Sequence, residues 1–249
     1  MKKLLMMTCA VASAFSVSAA DWYVAPNGTG GGTSSSDRGD LMGVLYNGQI
    51  ASGDTIHVAS GTYNLDVGKI PAGSGYGAYL RIPNGISNLS IVGESDDPEE
   101  VRLVGNKSDG KRVVYFKDGG LVLRNLLLSG GYTDYQGAGI MMDEVYVGNP
   151  EAAFFASNCV VENCSARYMG ANFGGLWRDC VIRNNEVRNK TPTSWPDSIE
   201  GSGGGVFHAT LYDCVVTNNY AGCCGGGIAG GGSTACHTGL CARPGPITV

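Results

Sequence analysis

Histidine is nearly absent from this sequence: there are three in 249 residues, His57, His208 and His237, and they stand far apart. No HExxH, no GxSxG and no phosphate-binding loop with its lysine occurs, so the common zinc-protease, serine-hydrolase and nucleotide-binding chemistries have no motif to stand on. His57 alternates with Ile56 and Val58, which predicts an outward position on a strand. Cysteine is missing between Cys9 and Cys159. An excess of basic charge is also lacking. Without Lys2 and Lys3 the chain has 15 basic against 22 acidic residues, a balance of −7, which argues against a nucleic-acid partner. Beyond the N-terminus no apolar run approaches the roughly 18 residues that span a bilayer, so no transmembrane helix is expected.

The N-terminal run is of a different kind. MKKLLMMTCAVASAFSVSA combines two lysines, an apolar stretch from Leu4 to Phe15 and the small residues Val17-Ser18-Ala19 at a cleavage site. Residues 1–19 are read as a secretory signal peptide, with the mature chain beginning near Ala20 or Asp21. Thr8 before Cys9 does not suit a lipid anchor. The expected location is secreted, extracellular or associated with an outer membrane.

What the chain has in abundance is glycine, 40 residues and none of them in the leader, more than twice the roughly 7% average. Apolar segments intervene regularly, so the glycines read as turns. Between them a motif recurs: NCVVENC at 158–164, DCVIRNN at 179–185 and DCVVTNN at 213–219, with weaker copies NLSIVG at 88–93 and NLLLSGG at 125–131. The anchors Leu89, Leu126, Cys159, Cys180 and Cys214 are 37, 33, 21 and 34 residues apart. Within each motif the apolar residues alternate as in a strand, and Asn163, Asn184 and Asn218 follow where a left-handed bend would end it; Gly93 and Gly130 take that place in the early copies.

Stacking such strands in parallel, about 4.8 Å apart, places the five anchors in one inward column and the three asparagines in a hydrogen-bonding ladder at inward corners. The triple glycines mark opposite corners, where backbones pass too closely for a Cβ. The expected fold is all-β, a right-handed parallel β-helix over residues 20–232 with a short N-terminal capping helix.

GGLWRDCVIRNN, GGGVFHATLYDCVVTNN and the final GGGI, with DWYVAPNGTG at 21–30 and SGDTIHVASGTY at 52–63, resemble the secreted right-handed parallel β-helix proteins, including the repeats of bacterial polymorphic outer membrane proteins and the pectate-lyase-like solenoids. That resemblance implies the fold and says little of activity, because such proteins include polysaccharide lyases, hydrolases, adhesins and autotransporter passengers.

Around the repeats, Trp22–Ala25 reads as an entry strand and Asp40 as the N-cap of a helix over 40–47, with Leu41, Val44 and Leu45 on its buried side. Residues 143–150 and 186–202 fit no repeat and read as extruded loops, the second displaying Trp195. The tail 233–249 carries no strand motif and reads as irregular, as if truncated or altered near Ser233.

Eight cysteines follow the leader. Cys159, Cys180 and Cys214 share their column with leucine and read as core residues, with bridges between adjacent repeats as the lesser alternative. Cys223, Cys224, Cys236 and Cys241 fit no standard zinc spacing, and no metal site is expected. A surface column of Asn158, Asp179 and Asp213, with Glu162 and Arg183 near by, is the one candidate binding site. Two functions are open: a structural or adhesive display module meeting an extracellular polysaccharide or a cell-surface ligand, without catalytic residues or cofactor, or a carbohydrate-active enzyme on an acidic polysaccharide, for which Ca²⁺ would be the cofactor.

Overall fold

Period-two alternation with β-branched residues on the inner side makes short strands, and left-handed residues end them. The computed structural model describes residues 19–72, 77–142, 154–189, 201–223 and 225–229, and the backbone of 247–248. The leader read over 1–19 (save Ala19), the loop at 143–150 and Trp195 lie outside these residues.

The fold is all-β and largely parallel, with few helical residues. Sheet 1 contains β1 (Asp21–Val24), β2 (Thr55–Val58), β5 (Ser90–Gly93), β8 (Leu121–Arg124), β11 (Phe154–Ser157), β15 (Leu176–Arg178) and β19 (Thr210–Tyr212), hydrogen-bonded in that order. Sheet 2 contains β3 (Gly61–Asn64), β6 (Val101–Val104), β9 (Leu127–Ser129), β12 (Val160–Glu162), β16 (Val181–Arg183) and β20 (Val215–Thr217). Sheet 3 is β4 (Ala78–Arg81), β7 (Arg112–Phe116) and β10 (Ile140–Met142). Two further sheets take over along the chain: β13 (Ser165–Ala166), β17 (Glu186–Val187) and β21 (Tyr220–Ala221) form sheet 4, and β14 (Asn172–Phe173), β18 (Val206–Phe207) and β22 (Ile228–Ala229) form sheet 5. From β2 onward the chain therefore visits sheets 1, 2 and 3 in the same order three times, and then sheets 1, 2, 4 and 5 three times, the last of these visits being β19 to β22.

The entry strand and the capping helix are where the sequence places them. Helix α1 (Leu41–Tyr46) starts at Asp40, whose carboxylate accepts from Gly43 N at 2.8 Å, and buries Leu41, Met42, Val44 and Leu45. Strand β1 is held by Asp54, 1% exposed, which accepts from Ala20 N, Ala51 N and Trp22 Nε1. Burial alone would push the Asp54 carboxyl up, but these three donors outweigh it and its pKa is lowered. The core is one continuous apolar cluster running the length of the stack, with Phe116, Phe154 and Trp177 packed edge to face at 5.6 and 5.3 Å between centroids.

Four expectations need correction. Leu89 is buried, but it belongs to sheet 1: Ser90 pairs with Val122, whereas the anchor that stands beside Leu126 in sheet 2 is Val101, since Arg102 pairs with Leu127. Gly93 accordingly lies in sheet 1 and is not the counterpart of Gly130. The column in sheet 2 is Val101, Leu126, Cys159, Cys180 and Cys214, every member 1% exposed or less.

The asparagine ladder is displaced by one residue. Asn163, Asn184 and Asn218 do take the left-handed bend, with φ of 55°, 55° and 51°, yet all three are exposed. The inward ladder is built by the next residues. Asn185, 1% exposed, accepts from Cys164 N at 3.0 Å through Oδ1 and donates from Nδ2 to Val161 O at 2.9 Å; Asn219 Oδ1 accepts from Asn185 N and Nδ2, and Asn219 Nδ2 donates to Ile182 O. A left-handed residue interrupts the strand's alternation, so the side chain at the bend points out and the one after it returns inward.

The segment read as a loop from residue 186 begins later, because Glu186–Val187 is paired on both sides with Ser165–Ala166 and Tyr220–Ala221. In the tail read as irregular, Ile247–Thr248 forms a strand, β23, antiparallel to β20.

The triple glycine 203–205 behaves as expected. A Cβ on Gly204 would meet Gly226 O at 2.2 Å and Tyr220 O at 2.3 Å, both rigid backbone atoms of the following repeat. Gly204→Ala is expected to cost about 1–3 kcal/mol through overpacking, read as a lower urea midpoint at unchanged slope.

Candidate functional site

The polar residues singled out in the sequence flank sheet 2 at its two edges. Asn158, Asp179 and Asp213 lie at the corner between sheets 1 and 2, all left-handed, with φ of 47°, 53° and 51°. Glu162 and Arg183 lie at the other end of the three-residue strands, about 13 Å away at ~3.3 Å per residue. The structure therefore divides the predicted column into two groups.

At the far edge the register sets Glu162 beside Arg183 on the outer face. Arg183 Nε donates to Glu162 Oε2 at 2.7 Å and its Nη2 to Glu99 Oε1 at 2.7 Å, while Arg102 stands 3.5 Å from Glu99 and 3.9 Å from Glu162. Two glutamates and two arginines close into a neutral ring. Hydrogen bonding to Glu162, reinforced by Glu99 and opposed by burial, raises the Arg183 pKa. Glu162 is only 8% exposed and both its oxygens face guanidinium groups, so it is poorly placed to move protons or bind a cation.

The ring fastens a segment that the sequence did not indicate. Residues 98–100 form a short 3₁₀ turn capped by Asp97, whose side chain accepts from Glu99 N at 2.9 Å. At the opposite corner Asn158 Nδ2 donates to Asp96 O at 2.7 Å and to Asn125 Oδ1 at 3.0 Å. The 96–100 segment is thus tied at both edges of sheet 2, and the outward-facing Leu127 and Val160 on that face are 0% and 3% exposed. Glu99 and Arg102 stand three residues apart, but they were missed because the partners that complete the ring are remote: Arg183 is 84 residues from Glu99.

The exposed polar face is that of sheet 1. Its register aligns Arg124, Ser157, Arg178 and Tyr212 in one outward row. Arg124 Nε donates to Ser157 Oγ at 3.3 Å, and the Arg178 guanidinium lies 5.6 Å from the centroid of the Tyr212 ring, which is 41% exposed. Arg124 and Arg178, both exposed, make no ion pair among the described residues, and at two strand spacings they stand about 9.6 Å apart. Asp179 and Asp213 adjoin this row at the corner and are exposed as well. Nothing in the repeat pattern marked the row, because no residue type holds it from one repeat to the next.

Of the histidines, His57 faces outward as expected, stacked on Tyr23 at 4.8 Å, with Nε2 2.8 Å from Asp21 Oδ1. His208 takes a left-handed bend against Phe207 at 4.5 Å between ring centroids, and loss of water there lowers its pKa. The unfolded chain therefore takes up the proton first as pH falls below about 6.5, and stability declines from there down through the folded pKa. Between pH 7.5 and 5.5 the urea midpoint should fall less in His208→Asn, which keeps the bend, than in wild type.

Among the described residues no group of three or more His, Cys, Asp or Glu side chains is gathered to hold a metal ion, and no helix is long and apolar enough to cross a membrane. Compared with protein-family models, curated proteins and solved structures, the chain finds a match in none of the three.

Proposed function

We propose that the five sheets are faces of one right-handed parallel β-helix, and that the chain is an exported, surface-displayed module with a structural or adhesive role. The observation that carries this reading is the repeated order of visits to the sheets, with strands of successive repeats paired in register. Parallel strands joined by such crossovers are right-handed in nearly all proteins. Internal ladders such as Asn185–Asn219, and Asn172, which accepts from Ile140 N and donates to Gly205 O, satisfy buried backbone without any ligand. A wall of this kind persists outside a cell.

The Arg124–Arg178 pair with Tyr212 beside it favours an anionic polysaccharide as what the wall meets. Its carboxylate or sulfate groups would lie along the row and a sugar face would rest on the tyrosine. The experiment is binding to, and turnover of, a panel of uronic-acid and sulfated polymers, with and without Ca²⁺. Salt-sensitive binding without turnover, weakened at least tenfold by Arg124→Ala/Arg178→Ala, is expected. Ca²⁺-dependent cleavage would replace this reading with the carbohydrate-active enzyme, and no binding to any polymer would remove the ligand.

A further inference from the structure

The inward column of sheet 2 stacks three cysteines on consecutive strands. Val160 pairs with Val181 and Val181 with Val215, which sets Cys159 beside Cys180 and Cys180 beside Cys214. All three thiols adopt the same arrangement, each Sγ donating to the carbonyl two residues earlier: Cys159 to Ser157 O at 3.3 Å, Cys180 to Arg178 O at 3.1 Å and Cys214 to Tyr212 O at 3.2 Å. In-register parallel strands hold paired Cα atoms about 4.8 Å apart, inside the 4.4–6.8 Å range of disulfides.

The column is not symmetric. Cys180 Sγ also accepts from Cys159 N at 3.4 Å and lies 3.6 Å from Ala156 O, so it leans toward the preceding repeat. Cys214 also interacts with the thiol and backbone of Cys180, but the close hydrogen bond from a backbone N–H, at 3.4 Å, is the one that joins Cys159 to Cys180. Cys164, the fourth buried cysteine among the described residues, sits past the corner in a different row, with its Sγ donating to Glu162 O at 3.3 Å.

We infer that Cys159 and Cys180 are a disulfide site that staples two consecutive repeats across a 21-residue segment, with Cys214 left as a buried thiol. Cys180 can pair with only one neighbour at a time, and its lean selects Cys159. Closure requires a disulfide reagent such as glutathione disulfide or the disulfide of a thiol oxidoreductase. One cysteine displaces a first glutathione to give the mixed disulfide. The second cysteine then displaces the other glutathione, so that two thiols are oxidised, one disulfide is reduced, and the two protons end on the two glutathione thiols. Cys159 and Cys180 are each 1% exposed, so the exchange belongs to folding, before the two repeats stack. In the folded chain the hydrogen bond with Cys159 and burial, opposed by the contact with Cys214, raise the pKa of the Cys180 thiol and make it a poor nucleophile. In a cell the staple needs the oxidising environment that export provides, and so rests on the display reading; in vitro it does not.

The test is to refold the reduced, denatured chain in a glutathione redox buffer, block free thiols, digest with trypsin without reduction and map the linked peptides. Cleavage after Arg178 and Arg183 releases DCVIR, which holds Cys180 alone, and cleavage after Arg124 and Arg167 releases the peptide with Cys159 and Cys164. The expected result is DCVIR joined to the 125–167 peptide, lost on reduction, retained in Cys164→Ala and abolished in Cys159→Ala. The stapled protein should also unfold at a higher urea concentration than the same protein refolded in dithiothreitol. Recovery of Cys180 as a blocked thiol from strand-rich, refolded protein would overturn the assignment, and so would its linkage to any cysteine other than Cys159. Because the refolding is done in vitro, either result stands whatever the compartment and whatever the polymer panel shows.

Discussion

Cys180→Asp is expected to abolish cooperative folding, while Cys180→Val, under the same reducing conditions, changes stability by less than about 1.5 kcal/mol. The side chain at this position is 1% exposed, and its neighbours in the column are the sulfurs of Cys159 and Cys214. Valine nearly conserves the volume and the apolar character. A carboxylate there has no cation to receive it, and against the single backbone donor Cys159 N stand two repelling carbonyls, Ala156 O and Arg178 O. Burying such a charge costs more than the 5–15 kcal/mol that typically separates folded from unfolded chains, unless the group is neutralised. Urea unfolding followed by circular dichroism at pH 7 separates the two variants. A folded Cys180→Asp protein with a midpoint near that of Cys180→Val would show that this column faces solvent.

The second large effect is at Asn185. Replacing it with leucine removes the acceptor of Cys164 N and the donor to Val161 O, and leaves Asn219 Oδ1 with one donor fewer. At about 1–3 kcal/mol for each buried group left unsatisfied, Asn185→Leu should lose about 2–4 kcal/mol. Asn184→Gly, one residue earlier, should stay within about 0.5 kcal/mol, since the side chain is exposed and glycine adopts the same left-handed bend. Urea midpoints that fall equally in both variants would contradict the ladder.

The pair also marks where the sequence was legible and where it was not. Strand, bend and inward cysteine could be read from DCVIRNN because alternation is a local property of extended backbone. The same alternation carried past the bend misplaced the ladder, because a left-handed residue breaks the parity on which the extrapolation depended. Leu89 went to the wrong sheet for a related reason. Asn88 and Asn125 both take a left-handed bend before an inward leucine, with φ of 55° and 57°, so two different corners have the same local signature. Only the register of whole strands separates them. The Glu99–Arg102–Glu162–Arg183 ring joins residues up to 84 positions apart, and no spacing rule reaches that far. The Arg124–Arg178 row depends on repeat lengths that differ from one repeat to the next.

The segment 96–100 changes how such a stack would come apart under load. In an array where each layer touches only its neighbours, pulling from one end peels the layers singly, each at a similar force. Here Glu99, just before β6, grips Arg183 on β16, three strands further along sheet 2. Traction on the C-terminal side would release β23 and β20 and then meet a clasp that β6, β9, β12 and β16 share. Beyond that point the layers yield as a block, so the array behaves as a strap with a buckle rather than as a zip.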